Sequence, residues 1–313
     1  MMRRNLASGK VQDGGLQCEK RPRANCARIS CSLIPGSPEV IVNPLVSKME
    51  LASTLRHART AAGKTLEDAA AALEVSAATI SRIETGMRIP RARDVRELCR
   101  FYGMRDESAI EAVAGLVAAA RSAGWWEKYP DVVDEIYGSF IALESAATEI
   151  LHFENMTIPA MLQTAEYQRS FLRDYAKLYR DEPILDDDLE RLVEVRRRRQ
   201  EILDADGPLN DYVVVLGERI VRFALGGPVV MRAQLEHLLT IADDPRVDLR
   251  VLAEADLMSV GPVGPYIVLG LPQEQVSDAV YVDLLHGQSL VDDDVVIARH
   301  RKIFLVLARV CLE

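Results

Sequence analysis

Between Thr65 and Gly86 the chain carries two short segments of helical apolar periodicity separated by only a few residues, and few folds accept that spacing. Thr65 is placed to cap a first helix with Asp68 three residues on, and Ala69, Ala70 and Leu73 form its inward stripe. Glu74 and Val75 make the turn. Ser76 caps a second helix that Ile80 and Ile83 anchor to a core, which leaves Ala77, Ala78, Thr79, Ser81 and Arg82 facing outward. Two helices joined this tightly form the unit that lays its second helix in the DNA major groove. The candidate DNA-binding residues are therefore Thr65, Ser76, Ala77, Ala78, Thr79, Ser81, Arg82 and Arg88. Ala77 and Ala78 offer methyl contacts suited to thymine, Thr79 a hydroxyl and a methyl, and Arg82 a bidentate grip on guanine or a phosphate clamp.

The flanks complete a small helical domain. Leu51, Leu55 and Ala58 mark a bracing helix that Gly63 closes. Gly86 and Pro90 end the motif, Val95, Leu98, Cys99 and Tyr102 mark a fourth helix, and a fifth is predicted from about Asp106 to Ala123. Leu-Arg-x-x-Arg-x-x-Ala-Gly at 55–63, followed by Val-Ser-x-x-Thr-Ile-Ser-Arg-Ile-Glu-x-Gly at 75–86, resembles the Cro/phage-repressor (XRE) type of helix-turn-helix domain. The resemblance covers about 55 residues and implies a five-helix DNA-binding domain that works as a dimer. Two half-sites roughly 34 Å apart would compensate for modest readout in each, so a homodimer on a near-palindrome is expected. Two positions depart from the family. Leu66 stands where a phosphate-contacting Gln is usual, and Glu74 stands where Gly is usual because that turn residue takes a left-handed backbone.

Charge is partitioned along the chain. The formal net charge is −9, yet residues 1–48 carry +5, residues 49–105 carry +3 and residues 106–313 carry −17. A basic module on an acidic body still attracts phosphates, because screening confines the interaction to about 10 Å. A chain of 313 residues exceeds the usual domain of roughly 100–150, which suggests two domains. No apolar run approaches the roughly 20 residues of a membrane span, so no membrane partner and a cytoplasmic, nucleoid-associated location are expected. Cys18, Cys26, Cys31, Cys99 and Cys311 are odd in number and match no zinc spacing, which points to free thiols and no metal. Residues 1–41 lack periodicity and are rich in Arg, Gly, Pro and Ser; a disordered basic arm, an Arg-rich targeting peptide and a misplaced start codon all fit. The expected division is an extension at 1–41, the helix-turn-helix domain at 42–123 and an α+β domain at 124–313.

The α+β reading rests on pattern. Tyr212–Leu216, Val247–Leu252, Tyr266–Leu269 and Val280–Val282 are short β-branched or aromatic runs that read as strands of one sheet. Thr164–Tyr179, Asp186–Leu203, Val229–Ala242 and Val291–Leu312 have helical spacing and should pack on it. Trp125-Trp126, Leu143-Glu144, Ile158–Thr164 with Tyr167, Arg196–Gln200, Gly226–Leu235 and Val280–Val282, in that order, resemble the large C-terminal domain of unknown function in actinobacterial, especially streptomycete, regulators of the WhiJ-like kind. That resemblance implies a small partner protein encoded by a neighbouring gene, an antitoxin-like arrangement, and a start near Pro44-Leu45.

The conspicuous residues of this half have structural readings. Arg196–Arg199 follow an acidic helix start at Asp186–Asp188 and read as a solvated face, with a second DNA contact as the alternative. Gly226-Gly227-Pro228 reads as a turn and helix start, since no Gly-Lys-Ser/Thr follows. Trp125 and Trp126 read as anchors of the interdomain junction. His152, His237 and His286 have neither metal-ligand nor triad spacing, so no catalytic site, cofactor or enzyme activity is expected. The C-terminal domain is read as sensing a protein partner or an effector, or as a small-molecule receptor.

Overall fold

The computed structural model describes residues 43–179, 183–204, 207–260, 263–272, 277–284 and 287–311. The extension 1–41 with Cys18, Cys26 and Cys31, and likewise His286 and Leu312, lies outside the described residues.

Five helices come first: α1 (Pro44–Ala61), α2 (Leu66–Ala72), α3 (Ala77–Glu84), α4 (Ala92–Phe101) and α5 (Glu107–Ala120). Local chemistry starts and stops them. Asn43 caps α1 ahead of a proline at its first position, Thr65 and Asp68 form a reciprocal capping box on α2, Ser76 caps α3 and Asp106 caps α5. Gly63 and Gly86 close α1 and α3 at φ of 64° and 72°. Leu55, Ile80, Val95 and Ile110 are wholly buried between these helices. Each such side chain contributes about 1.5–3 kcal/mol by leaving water.

The second half is built on one six-stranded sheet. Its strands are β1 (Glu149–Glu154), β2 (Asp211–Gly217), β3 (Val247–Leu252), β4 (Tyr266–Gly270), β5 (Ala279–Leu284) and β6 (Gly287–Val291), in the order β3-β2-β1-β4-β5-β6. β1, β2 and β3 pair in parallel, and β4, β5 and β6 are antiparallel additions on the other side of β1. Parallel neighbours need helical crossovers. α7 (Ala165–Tyr179) and α8 (Asp186–Gln200) join β1 to β2, and α9 (Glu218–Arg222) and α10 (Pro228–Ala242) join β2 to β3. α6 (Glu135–Ala146) precedes the sheet, α11 (Glu254–Val260) links β3 to β4, and α12 (Asp294–Arg309) follows β6.

Strand alternation sends successive side chains of each strand to two different cores. Ile150, Tyr212, Val214, Ile267, Leu269 and Tyr281 pack with Phe140 and Leu143 of α6, Val195 of α8 and Leu238 of α10. Leu151, Phe153, Val215, Val268 and Val280 pack with Ile297, Phe304 and Leu307 of α12 on the opposite face. Helices thus cover both faces.

α1 belongs to both halves. Leu51 and Leu55 enter the helix-turn-helix core, while Val46 is buried in the core of the sheet's α6 face. Asn43 Nδ2 donates to the Ala142 carbonyl and, at 3.0 Å, to Ser145 Oγ of α6.

The arginine run corrects the solvated-face expectation. Arg199 is buried against Glu144 of α6, with Nε to Oε2 at 2.6 Å and Nη2 to Oε1 at 2.7 Å, and Nη1 donates to the Tyr137 hydroxyl at 2.8 Å. Arg196 turns inward to Gln163 Oε1 at 3.1 Å, and Arg198 lies over the Trp125 ring. Only Arg197 is exposed, paired with Glu194 and Glu201. The reason is geometric: 3.6 residues per turn send four consecutive side chains to four directions, and two of those face the core. The segments singled out in the sequence therefore meet in space. Gln200 donates to the carbonyls of Ala160 and Gln163, while Gln234 donates to Leu162 O and accepts from Thr164 N, so α8 and α10 hold the 158–164 segment.

Candidate nucleic-acid interface

α2 and α3 are joined by a turn whose residue Glu74 has φ of 56°. This left-handed position is the one that favours glycine, and a side chain there costs about 1–2 kcal/mol. The turn packs α3 on the bundle with Ala78 and Arg82 on its exposed face. On α3, Ile80 and Ile83 face the core as their spacing predicts.

Thr79 and Ala77 are corrections. Thr79 is 8 % exposed, with its hydroxyl 3.0 Å from Ser76 Oγ, and Ala77 packs against the helix-turn-helix core. Ala77 precedes Ile80 by three residues and Thr79 precedes Ile83 by four, so both share the inward-facing side of the helix. Ser76 is exposed and spends its acceptor on Thr79 N at 3.2 Å. Ala78 and Arg82 are exposed, and Ser81 is half-buried. Thr65 is exposed on the neighbouring helix start, its hydroxyl oxygen accepting from Asp68 N.

The basic residues divide by partner. Arg59 is tied to Glu84, Arg96 to Glu111, Arg100 to Glu107 and Arg93 to Asp94. Arg82, Arg88 and Arg91 are exposed and make no ion pair among the described residues. Arg82 Nε donates to the Ala78 carbonyl at 3.2 Å, and its terminal nitrogens make no hydrogen bond to the described residues. Three guanidiniums without carboxylates, on and just after the outward helix, form a local positive surface for phosphates or a base edge.

Two features had no signal in the local sequence. Glu84, buried at the C-terminal end of α3, receives Arg59 Nε and Nη2 at 2.8 and 2.9 Å, and Arg59 Nη1 reaches the Lys64 carbonyl at 2.8 Å. This pins α3 to α1, offsets an acid at an unfavourable helix end, and raises the Arg59 pKa through the hydrogen bond to Glu84. The partners are 25 residues apart, a separation no helical spacing reveals. Met87, 78 % exposed in the turn after α3, leaves an apolar side chain in solvent next to Arg88.

Elsewhere, His152 is buried, its Nδ1 lying 3.1 Å from the Tyr212 hydroxyl, and burial lowers its pKa to about 3. Among the described residues, no group of three or more His, Cys, Asp and Glu side chains could hold a metal ion, and no helix is long and apolar enough to cross a membrane. Trp125 and Trp126 both pack against the core of the sheet's α6 face, and Trp126 also lines a cleft with Pro44, Leu45 and Lys48 of α1.

A helix-turn-helix domain profile matches residues 50–113, and the profile of a domain of unknown function, DUF5753, matches residues 137–313. No curated protein and no solved structure matches the chain.

Proposed function

Since the chain belongs to the DUF5753 family and carries a helix-turn-helix domain ahead of the family segment, we propose that it is a sequence-specific DNA-binding transcriptional regulator rather than an enzyme. The observation that carries this is the trio Arg82, Arg88 and Arg91, which make no ion pair among the described residues, beside the exposed Ala78 and half-buried Ser81 of α3. α3 enters the major groove, with Arg82 reaching a base edge or phosphate, Ala78 meeting thymine methyl groups, and Thr65, Ser76 and Arg88 holding the backbone. One short helix reads few base pairs, so the protein works as a homodimer on a near-palindrome in the cytoplasm, of the XRE type. The C-terminal domain biases DNA affinity by sensing an effector or a partner, and the shared helix α1 supports that coupling.

Fluorescence anisotropy with the full chain and the gene's own upstream DNA, against scrambled DNA at two salt concentrations, tests the reading. Preference for the upstream DNA with a steep salt dependence is expected. Equal binding to both, or salt-independent binding, refutes it for that region. An antitoxin-like pairing with a small protein from a neighbouring gene is the second reading, favoured by the acidic balance of residues 106–313. Co-purification with that protein, and its effect on the anisotropy, separates the two.

A further inference from the structure

The face of the sheet covered by α6, α7 and α8 is apolar except at one end. In register, His152, Ile267 and Tyr281 form a row across β1, β4 and β5, and the following positions on the same face are Glu154 on β1 and Asp283 paired with Gln288 across β5 and β6. Burying Glu154 under helices is costly unless it serves a partner, and the exposed Asp283 stands at the rim beside it. Here they line a cavity of about 340 Å³ at the carboxyl end of β1, where the parallel half of the sheet meets the antiparallel half. That is where open α/β sheets bind small molecules, and the volume lies in the range of ligand sites, roughly 300–1,000 Å³.

The polar groups around the cavity are unequally satisfied. Arg199 is consumed by Glu144 and Tyr137. Arg196, one helical turn earlier, lies over the Phe171 ring at 5.3 Å, donates to Gln163 Oε1 at 3.1 Å and makes no ion pair among the described residues. Asp283 also lacks an ion pair among the described residues, and Gln288 Oε1 is buried without a hydrogen bond. Glu154 Oε1 accepts the backbone amides of Asn155 and Met156. The remaining wall is largely apolar, with the rings of Tyr137, Phe140, Tyr175 and Tyr281 set among aliphatic side chains. An arginine on the helix side thus faces carboxylates on the sheet side, with no ion pair closing the gap.

We propose that this cavity is the effector site of the regulator and that its ligand is a small zwitterion with an apolar or aromatic body, a free amino acid or close analogue. Its carboxylate pairs with Arg196, its ammonium pairs with Asp283 and Glu154 and donates to Gln288, and its body lies among the aromatic rings. Burial pushes Glu154 up to about 7 and lowers Arg196, the response of charges held out of water without full compensation, while Asp283 at the exposed rim is raised by partial desolvation that the nearby Arg196 offsets in part. A zwitterion supplies both missing opposite charges without adding net charge to the interior. The α6 wall, through Ala142 and Ser145, is also the segment that holds Asn43 at the start of α1, so occupancy bears on the helix shared with the DNA-binding half.

This site rests on reading the C-terminal domain as a sensor, and the test separates the two. Full-length protein is screened by thermal shift and calorimetry against the free L-amino acids, with each hit compared to the same molecule lacking its amine and lacking its carboxylate. At least one amino acid is expected to bind while both truncated analogues fail. Arg196→Gln and Asp283→Asn are each expected to weaken binding by roughly thirtyfold or more. Arg222→Gln, on exposed α9, leaves it unchanged. No binding by any amino acid overturns the site, as does binding that survives both cavity variants or is matched by the truncated analogues. Loss of binding in a cavity variant counts only with an unchanged melting temperature in the absence of ligand; otherwise the cavity-facing Gln288→Glu, which adds a carboxylate beside the ammonium, is used and should not abolish binding, and abolition overturns the assignment. Anisotropy with DNA is run alongside: binding that leaves DNA affinity unchanged refutes the sensing reading and leaves the site standing.

Discussion

Removing either member of the Glu144–Arg199 pair should be among the most damaging single changes in the C-terminal half. The side chains are 3 % and 6 % exposed, and Arg199 also contacts the faces of Phe140 and Tyr137 at 4.9 and 5.5 Å. Glu144→Leu leaves a buried guanidinium with only the Tyr137 hydroxyl as a close partner. Burial disfavours that charge and Glu144 restores it, holding Arg199 well above its ordinary pKa. Breaking such a pair costs about 3–5 kcal/mol, which corresponds to a fall of roughly 10 °C in melting temperature for a chain of this size. Arg199→Met should cost a similar amount, because it strands the carboxylate. The double variant removes both charges and fills the space with apolar atoms, so it should recover most of the loss, a coupling of about 2 kcal/mol or more. The assay is thermal unfolding of the full chain by intrinsic fluorescence, since Trp125 and Trp126 pack against the same core. Additive losses in the double variant, or single losses below about 1 kcal/mol, would refute the reasoning.

Further outcomes follow from single positions. Glu74→Gly should raise stability by about 0.5–1 kcal/mol, because glycine removes the cost of φ 56° while adding backbone freedom to the unfolded chain; a lower urea midpoint would contradict this. Glu154, raised to about 7 by burial, binds its proton more tightly in the folded state, so its contribution is complete below about pH 4.5, still largely present at pH 5 and lost as pH rises through 7, by about 3 kcal/mol in all. Glu154→Gln should abolish that loss, and parallel melting curves for both proteins at pH 5 and pH 8 would exclude it. Arg82→Ala should leave the melting temperature unchanged and weaken DNA binding about tenfold, whereas Thr79→Ala should cost about 1 kcal/mol of stability, because its hydroxyl sits within the cap of α3. Ile80→Asp should unfold the helix-turn-helix region, as read by loss of helical circular dichroism, because Ile80 is fully buried.

The helix-turn-helix was legible because most of what specifies it is local, the Arg59–Glu84 pair excepted. Thr65 with Asp68, Ser76 with Thr79, and the left-handed Glu74 all act within one turn of chain, and the residues that face the core recur at helical period. The same locality misled at Thr79, whose place in the outward set ignored how wide the buried stripe of α3 is. In the second half, four strands announced themselves as β-branched runs, yet β6, whose Val291 reads in sequence as a helix start, did not, and neither did β1, the strand between the parallel and antiparallel halves. Its sequence Glu-Ile-Leu-His-Phe-Glu is apolar toward both covered faces and polar where it reaches the cavity, so it has neither clean alternation nor an uninterrupted apolar run.

Sequence alone determined the helix periods, the caps, the turn and the partition of charge, because these depend on neighbours within a few residues. Which arginines meet water and which meet a carboxylate was decided only by tertiary structure. Arg199 and Glu144 lie 55 residues apart, Arg59 and Glu84 lie 25 apart, and Glu154, Asp283 and Arg196 converge from three separate elements. Whether a charge is solvated or buried depends on what the fold packs over it, and the residues that do the packing are distant in the chain.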